Sequence, residues 1–506
     1  MKQLSGLDAT FLHMETPNQF GHVSSLSIYE RPSDPSYDPL SAWRQQIERR
    51  LHLLEPLRRR LVEVPFGLDH PYWIEDPNFD LDFHVRHTAI PPPGDDAQLE
   101  ELVARIIGRP LDRSRPLWET YVIEGLPDGR FGVLTKIHHA TIDGASGAEL
   151  TVIMLDATPD GDDVPLPDKP WEPDAVPSDA EILTRAGANL IRKPGRALLL
   201  SARALRELGE TTRNPALIAA ARQWRRSLRG PLGRVLNIGR NREEERDPPP
   251  TLPVTGAPRT RFNRGVTPHR KFAFRATSLS DVKAIKNALG ATVNDVVMAA
   301  CAGALRTYLD KRGELPAEPL VAMIPVSIRT GEETDKWTNR VSGLLSLLPT
   351  NEGDPLQRVL KVHEAMASSK ELFNAIPAET LTDFAQFPSP AIFTRAMRMA
   401  VRWRLMDRIG PPAGNLTISN VPGPREPLYA AGARLLHYFP VSTIVDGQGL
   451  NITVQSYMDT LDWGLVACRE LVPDVGDLAD EICSELDALA AAAGVTVAVS
   501  SNGHGS

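Results

Sequence analysis

The stretch Val133-Leu-Thr-Lys-Ile-His-His-Ala-Thr-Ile-Asp-Gly-Ala145 decides how this chain folds. From Val133 to His138 every second residue falls on the same face, and this two-residue period is typical of a β-strand. Because adjacent residues of a strand face opposite sides of a sheet, at most one of His138 and His139 can face a given cavity. The small residues 144–147 then permit a close turn before the apolar run from Leu150 to Leu155. The sequence therefore predicts a histidine pair at a strand end, with room for a ligand.

His138, His139, Asp143 and Gly144 form the pattern H-H-x-x-x-D-G. An imidazole suits general-base chemistry because its unperturbed pKa lies near neutrality. A carboxylate four residues later could hold either the ring or the surrounding backbone. A lone histidine is usually an ordinary surface or core residue, but four fixed residues at fixed spacing indicate a catalytic site.

Four further segments stand in a characteristic order around this pattern. They are Met1–Glu15, Arg115-Pro-Leu-Trp-Glu-Thr-Tyr121, Thr292-Val-Asn-Asp-Val-Val-Met-Ala299 and Ser419-Asn-Val-Pro-Gly-Pro424. Together with the histidine pattern they resemble the bacterial wax ester synthase/diacylglycerol acyltransferase family, part of a superfamily of CoA-dependent acyltransferases. The resemblance runs from the first residue to about Ala490. Met298 stands where Leu is expected, an apolar swap that conserves volume.

The resemblance implies roles for the histidine pattern. His139 would be the general base and His138 a supporting residue, with Gly144 completing the motif. Asp143 would be structural and held in an ion pair, for which Arg329 at a predicted strand end is the candidate partner. The implied fold is α/β (α+β), with two chloramphenicol-acetyltransferase-like lobes and a channel between them. Acyl-CoA would be a co-substrate, with no bound cofactor and no metal.

Five more residues are candidates for substrate binding, and each has a simpler interpretation. Asn294 and Asp295 stand at a predicted helix start, where Asn294 could cap the helix or donate to an oxyanion. Ser419 and Asn420 either precede a tight turn or project into the channel. Packing is the simpler interpretation of Trp118, although its ring could line an acyl tunnel.

Composition excludes several classes of protein. The chain has 506 residues, 42% of them hydrophobic, and its three cysteines are widely spaced. We therefore expect no disulfide framework, and the start of the sequence predicts no signal peptide. No apolar run is long enough for a membrane span. We also see no glycine-rich phosphate loop and no Gly-x-Ser-x-Gly elbow, so a covalent acyl-serine is not expected.

The net charge of −8 hides a basic segment. Residues 181–240 hold 13 Lys or Arg against three acidic residues, a net charge of +10 that leaves −18 for the remainder. The acidic remainder argues against broad nucleic-acid binding. The segment itself is either a solvated helical bridge between two lobes or a basic amphipathic surface for anionic lipid.

Composition also divides the chain. We predict an N-terminal lobe at 1–160, a proline-bounded basic linker at 161–265, a C-terminal lobe at 266–495 and a loose tail at 496–506. Within the lobes, Pro39 to Leu61 has a helical pattern, and Ser280 and Asn294 are expected to cap helices. The apolar runs Val321 to Ile328 and Val341 to Leu348 favour central strands.

The favoured function is O-acylation of a lipid alcohol by long-chain acyl-CoA. The product would be triacylglycerol from diacylglycerol, wax ester from fatty alcohol, or both. A second possibility is acylation of a polyketide or glycolipid alcohol. A third, of another class, is a non-catalytic coat protein of lipid droplets. The expected location is cytoplasmic, with peripheral contact to a membrane or lipid droplet.

Overall fold

Among its described residues, two six-stranded sheets organise the computed structural model of this chain. The structure describes residues 1–142, 150–167, 171–189, 256–327, 341–374 and 412–496. The predicted basic segment lies outside these residues, apart from a helical stretch at 179–189.

The first sheet carries the histidine strand at its centre. Its strands in spatial order are β12 (Tyr429–Ala430), β13 (Ala433–Val441), β2 (His22–Glu30), β7 (Phe131–His138), β6 (Trp118–Glu124) and β5 (Val85–Ala89). All neighbours are antiparallel except β5 and β6, which are parallel. The two faces predicted for β7 are present, because Leu134 packs in one hydrophobic cluster while Val133 and Ile137 pack in another.

Two strands of the first sheet come from the far end of the chain. β13 pairs with β2 from Arg434 opposite Glu30 to Val441 opposite Ser24. The predicted division into lobes did not include this exchange, since 429–441 falls within the segment assigned to the C-terminal lobe. The exchange covers the outer edge of β2 and so satisfies its backbone hydrogen bonds.

The second sheet is built from the C-terminal half. Its strands in spatial order are β10 (Val341–Leu348), β9 (Leu320–Ser327), β11 (Leu416–Val421), β14 (Leu450–Tyr457), β15 (Thr460–Cys468) and β8 (Arg270–Ser278). β11 runs parallel to both β9 and β14, and the other pairs are antiparallel. The expectation that 341–348 is a central strand is wrong, because β10 is the edge strand of this sheet as described. A small sheet of β1 (Lys2–Gln3), β4 (Tyr72–Glu75) and β3 (Arg59–Val62) lies beside the first.

Helices cover the sheets. In the described ranges, and apart from the helical residues 150–154 and 179–189, they are α1 (Gly6–His13), α2 (Pro39–Arg50), α3 (Glu55–Arg58), α4 (Leu81–His84), α5 (Asp96–Ile107), α6 (Leu279–Leu289), α7 (Val293–Asp310), α8 (Pro355–Asn374) and α9 (Val475–Ala492). The long helical pattern predicted from Pro39 therefore ends at Arg50, and the chain then turns into α3 and β3. The central helix α7 is buried along most of its length.

Both predicted caps stand two residues after those in the structure. Ser278, not Ser280, caps α6 by accepting a hydrogen bond from the Asp281 N–H at 3.1 Å. Thr292, not Asn294, caps α7. Two residues able to cap stand two positions apart at each helix start, and the extended backbone of the true cap depends on the preceding strand or turn.

One apolar core joins the two sheets. Leu26 and Leu134 of the first sheet belong to the same cluster as Phe272 and Val466 of the second. At Gly464 an added Cβ would overlap the carbonyl oxygen of Pro440, so β13 and β15 approach too closely for any side chain there. Among the described helices none alone is long and apolar enough to cross a membrane, whereas α6 and α7 taken together are, though they bend by 100° at their junction.

Candidate active site

The histidine pair is held by its backbone between two neighbouring segments. The His138 N–H donates to the Leu117 carbonyl at 2.9 Å, and the His139 N–H donates to the Gly21 carbonyl at 2.8 Å. Leu117 precedes β6 and Gly21 precedes β2, the two strands that flank β7. The centre of the first sheet therefore sets the position of both histidines.

The ring of His138 is enclosed. Its side chain is 1% exposed, and its Nδ1 accepts a hydrogen bond from the Ala140 N–H at 3.0 Å. Since Nδ1 accepts, the proton of the neutral ring resides on Nε2. That nitrogen lies 3.2 Å from Oε1 of Glu15, off the line of a straight hydrogen bond.

Glu15 ties the histidine strand to the N-terminal segment. Its Oε1 accepts from the Gly21 N–H at 2.8 Å, and its Oε2 accepts from Nη2 of Arg113 at 2.7 Å. Burial opposes ionisation of this carboxyl, but contacts with His138, Gly21 and Arg113 outweigh burial and lower its pKa to about 2. Glu15 is therefore a charged group beside the histidine pair.

His139 has a different environment from His138. It is half-buried, and its ring stacks on Phe11 with the centroids 4.4 Å apart and the planes 6° from parallel. Phe11 lies on α1, which Ser5 caps by accepting from the Asp8 N–H. The two rings thus have separate partners, as the strand alternation predicts.

Four residues at this site were missed by sequence reasoning: Phe11, Glu15, Gly21 and Arg113. Phe11 and Glu15 belong to the N-terminal segment that carries the family resemblance, so a signal was present without a role attached to it. Gly21 and Arg113 had no signal, because their contacts with the histidine strand and with Glu15 form only in the tertiary structure.

An apolar cavity of about 140 Å³ adjoins the histidine strand. Ile137 and Ile142 border it, and these residues flank the histidine pair along the chain. Hydroxyl-bearing side chains, among them Ser25 and Thr135, also line it. The apolar wall includes Trp43, Ile47, Leu57, Trp118, Leu150 and Met154.

Trp118 lies in this wall with a fixed orientation. Its side chain is 2% exposed, its indole N–H donates to the Leu57 carbonyl at 2.7 Å, and its ring stacks on His84 at 4.4 Å. Burial lowers the pKa of His84 below its usual range and so favours the neutral imidazole as the stacking partner. Trp118 therefore both packs and lines the cavity.

The remaining candidates lie in the second sheet and the helix beside it. Asn294 is half-buried in the first turn of α7, and its Oδ1 lies 3.5 Å from Nδ2 of Asn420 on β11. The structure thus brings these two predicted residues together across helix and strand. Ser419 is also half-buried and stands opposite Thr453 of β14.

Asp295 is engaged within the protein. Its Oδ2 accepts from the Thr292 N–H at 2.9 Å and lies 2.8 Å from Nδ1 of His363. Its side chain is 4% exposed. This carboxylate stabilises the helix start that carries Asn294, and the predicted contact between Asp295 and substrate stays a prediction.

The turn predicted after Ser419 and Asn420 is not a tight one. β11 continues to Val421, and an open loop follows. At Gly423 an added Cβ would overlap the Ser456 carbonyl oxygen, so close approach to β14 requires this glycine.

Three predicted residues, Asp143, Gly144 and Arg329, lie outside the described residues. The ion pair proposed between Asp143 and Arg329 stays a prediction. Within the part of the chain that the structure describes, no three His, Cys, Asp or Glu side chains are grouped to hold a metal ion.

Comparisons with known proteins cover nearly the whole chain. Residues 4–297 match the model of the wax ester synthase/diacylglycerol acyltransferase catalytic domain, and residues 337–490 match that of the C-terminal domain of the same family. A Mycobacterium tuberculosis relative, which carries the provisional name diacylglycerol O-acyltransferase, is 37% identical over 98% of this chain and 97% of its own.

Solved structures with the same architecture confirm the predicted fold. The wax ester synthase/diacylglycerol acyltransferase from Marinobacter aquaeolei VT8 is 28% identical, with a TM-score of 0.66 over 98% of this chain and 100% of that chain. The first condensation domain of the calcium-dependent antibiotic synthetase shares the fold at 17% identity, with a TM-score of 0.54 over 98% of each chain. The fold is thus the expected mixed α/β arrangement of two chloramphenicol-acetyltransferase-like lobes.

Proposed function

Because this chain belongs to the wax ester synthase/diacylglycerol acyltransferase family, it is an acyltransferase, and we propose that it esterifies a lipid alcohol with a long-chain acyl group from acyl-CoA. The acceptor would be diacylglycerol, a fatty alcohol, or both. The donor and acceptor are co-substrates, and no cofactor is required for direct transfer.

The observation that carries this proposal is the apolar cavity beside the histidine strand. Its volume of about 140 Å³ is close to the ~150 Å³ of a buried apolar cavity that holds benzene. It therefore accommodates a short section of a hydrocarbon chain. A chain held there would bring its thioester towards the strand end that carries His139.

We assign His139 as the general base. Its imidazole would take the proton of the acceptor hydroxyl as that oxygen attacks the thioester carbonyl. Collapse of the tetrahedral intermediate would break the C–S bond, and the CoA thiolate would collect the proton from the imidazolium. The products are an ester and free CoA, and holding both substrates in one site would supply much of the rate.

We assign Asn294 to the oxyanion. Its Oδ1 is turned towards Asn420, so its amide N–H groups are the atoms that could donate to a developing negative charge. Asn420 and Ser419 would line the same side of the substrate channel. Asp295 would act through the backbone of α7 rather than by contact with the substrate.

The test is acyl-CoA turnover by purified protein, followed as release of the CoA thiol. His139→Ala should reduce turnover by about 10²–10⁴-fold while the melting temperature stays close to that of wild type. His138→Ala serves as the matched comparison and should reduce turnover less. Near wild-type turnover by folded His139→Ala would refute the base assignment.

A panel of acceptors tests the substrate class. Diacylglycerol and long-chain fatty alcohols should be esterified with palmitoyl-CoA. Exclusive use of a polyketide or glycolipid alcohol would reject the proposed acceptors while leaving acyl transfer intact. No turnover with any acyl-CoA would instead favour a non-catalytic lipid-droplet coat protein.

We also propose that the protein attaches peripherally to anionic membranes or lipid droplets through the basic segment 181–240. The reason is chemical, because the proposed acceptors are nearly insoluble and each basic residue near an anionic surface contributes about 1 kcal/mol. Binding to anionic vesicles should weaken with salt and on a fourfold Arg-to-Gln substitution, while binding to neutral vesicles stays low. If neither salt nor the substitution changes binding to anionic vesicles, the segment serves only as a bridge between the two lobes. The four arginines are Arg222, Arg225, Arg226 and Arg229.

A further inference from the structure

We infer that Glu15 is a positioning residue for the histidine pair and acts through Gly21 and His138. This inference rests on the proposed function, in which His139 is the base. Glu15 does not border the cavity, and its contacts all lead to protein groups around the two histidines.

The two carboxylate oxygens of Glu15 contact different groups. Oε1 faces the histidine strand, where it accepts from the Gly21 N–H at 2.8 Å and lies 3.2 Å from Nε2 of His138. Oε2 faces away and accepts from Nε and Nη2 of Arg113 at 3.1 and 2.7 Å. Arg113 also donates to the Leu12 carbonyl at 2.6 Å, which anchors the end of α1.

Gly21 links Glu15 to His139 through hydrogen bonds of its own N–H and carbonyl groups. Its N–H is held by Glu15, and its carbonyl accepts the N–H of His139 at 2.8 Å. Phe11, one turn before Glu15, stacks on the His139 ring. The segment from Phe11 to Glu15 therefore holds His139 by its ring and, through Gly21, by its backbone.

The charge of Glu15 is part of this arrangement. The charged and titratable groups around it are His138, Arg113, Lys136 and His22. With a pKa of about 2, Glu15 stays ionised over the whole range in which a catalytic histidine titrates. It therefore moves no proton itself and acts as a fixed negative charge beside the histidine pair.

The experiment compares Glu15→Gln and Glu15→Leu with the wild type. Glu15→Gln keeps the shape and one acceptor oxygen, whereas Glu15→Leu removes both acceptors. We expect kcat to fall about 10-fold for Glu15→Gln and about 100-fold for Glu15→Leu, because a displacement near 1 Å is enough for such losses. KM for palmitoyl-CoA should change little, and the acidic limb of the kcat/KM profile should move to lower pH for both variants.

Glu63→Gln is the matched control. Glu63 is the other carboxylate near Arg113, at 3.4 Å from Nη1, but it is 68% exposed and pairs with Arg113 rather than with either histidine. Its substitution should leave kcat and the pH profile unchanged. If Glu63→Gln has an equal effect, loss of any carboxylate that pairs with Arg113 would explain the result. That outcome would overturn the inference.

A double-mutant cycle separates this inference from the proposed function. If Glu15 acts through the histidines, Glu15→Gln should cost nothing further in a His139→Ala background. Full activity of His139→Ala would overturn the base assignment. Two outcomes would overturn the positioning role alone, provided that His139→Ala has reduced activity. One is a double variant whose loss is the product of the two single losses. The other is a wild-type kcat and pH profile for Glu15→Gln. If Glu15→Leu does not fold, the cycle with the isosteric Glu15→Gln decides.

Discussion

Gly21→Ala is the substitution whose effect can be worked out most directly from the structure. An added Cβ would lie 2.5 Å from Nε2 and 2.8 Å from Cε1 of His138, and 3.1 Å from the Phe11 carbonyl oxygen. Ordinary van der Waals contact begins near 3.4 Å, so the ring must retreat by roughly 1 Å. His138 is 1% exposed and cannot move into solvent.

Displacement of the His138 ring should lower both stability and turnover. Overpacking a buried site destabilises a protein by about 1–3 kcal/mol. A shift of about 1 Å in a catalytic arrangement lowers turnover by about 100-fold. We therefore expect Gly21→Ala to fold with a melting temperature lowered by a few degrees and to lose most of its acyl-CoA turnover.

Thermal unfolding and initial rates with palmitoyl-CoA measure both effects. Gly132→Ala is the matched control, because Gly132 lies on the same histidine strand β7 and an added Cβ there would meet its nearest neighbour at 3.6 Å. The control should keep its turnover and its melting temperature. Wild-type turnover by Gly21→Ala would refute the reasoning, as would an equal loss in both variants.

Three further predictions concern the cavity, a buried ion pair and acid stability. Met154→Trp should fill part of the cavity and shift donor preference towards shorter acyl-CoA chains, measured as kcat/KM across a chain-length series. Asp156→Ala should destabilise the protein by about 3–5 kcal/mol in chemical denaturation, because Arg50 would remain buried without its partner. The pKa of Glu15 is lowered from 4.5 to about 2, so its charge stabilises the fold above about pH 4.5, and this contribution of about 3 kcal/mol fades as the pH falls towards 2. The unfolding free energy of the wild type should therefore decline more steeply than that of Glu15→Gln between pH 5 and 3.

Local periodicity was enough to predict several elements of this fold. Val341–Leu348 is a strand with the predicted bounds, and the apolar run predicted from Val321 to Ile328 is the strand β9, Leu320–Ser327. The alternation along β7 correctly separated its two faces. These features depend on residues close together in sequence, where the period of apolar side chains reflects which side is buried.

Tertiary structure decided what periodicity could not. Which polar residue caps α6 or α7 depends on the backbone that precedes the helix, so Ser278 and Thr292 took the places expected for Ser280 and Asn294. The pairing of β13 with β2 joins residues about 400 positions apart, and no local pattern specifies such a partner.

The same division applies to the candidate active site. The histidine pattern and the order of the surrounding motifs indicated the family and the residues to examine. The contacts of Glu15 with Gly21, His138 and Arg113 could not be read from the chain, because a carboxylate beside a helix end has the same local pattern whether it faces solvent or a buried ring. Its role is decided by burial, which brings Arg113 to one oxygen and the histidine strand to the other.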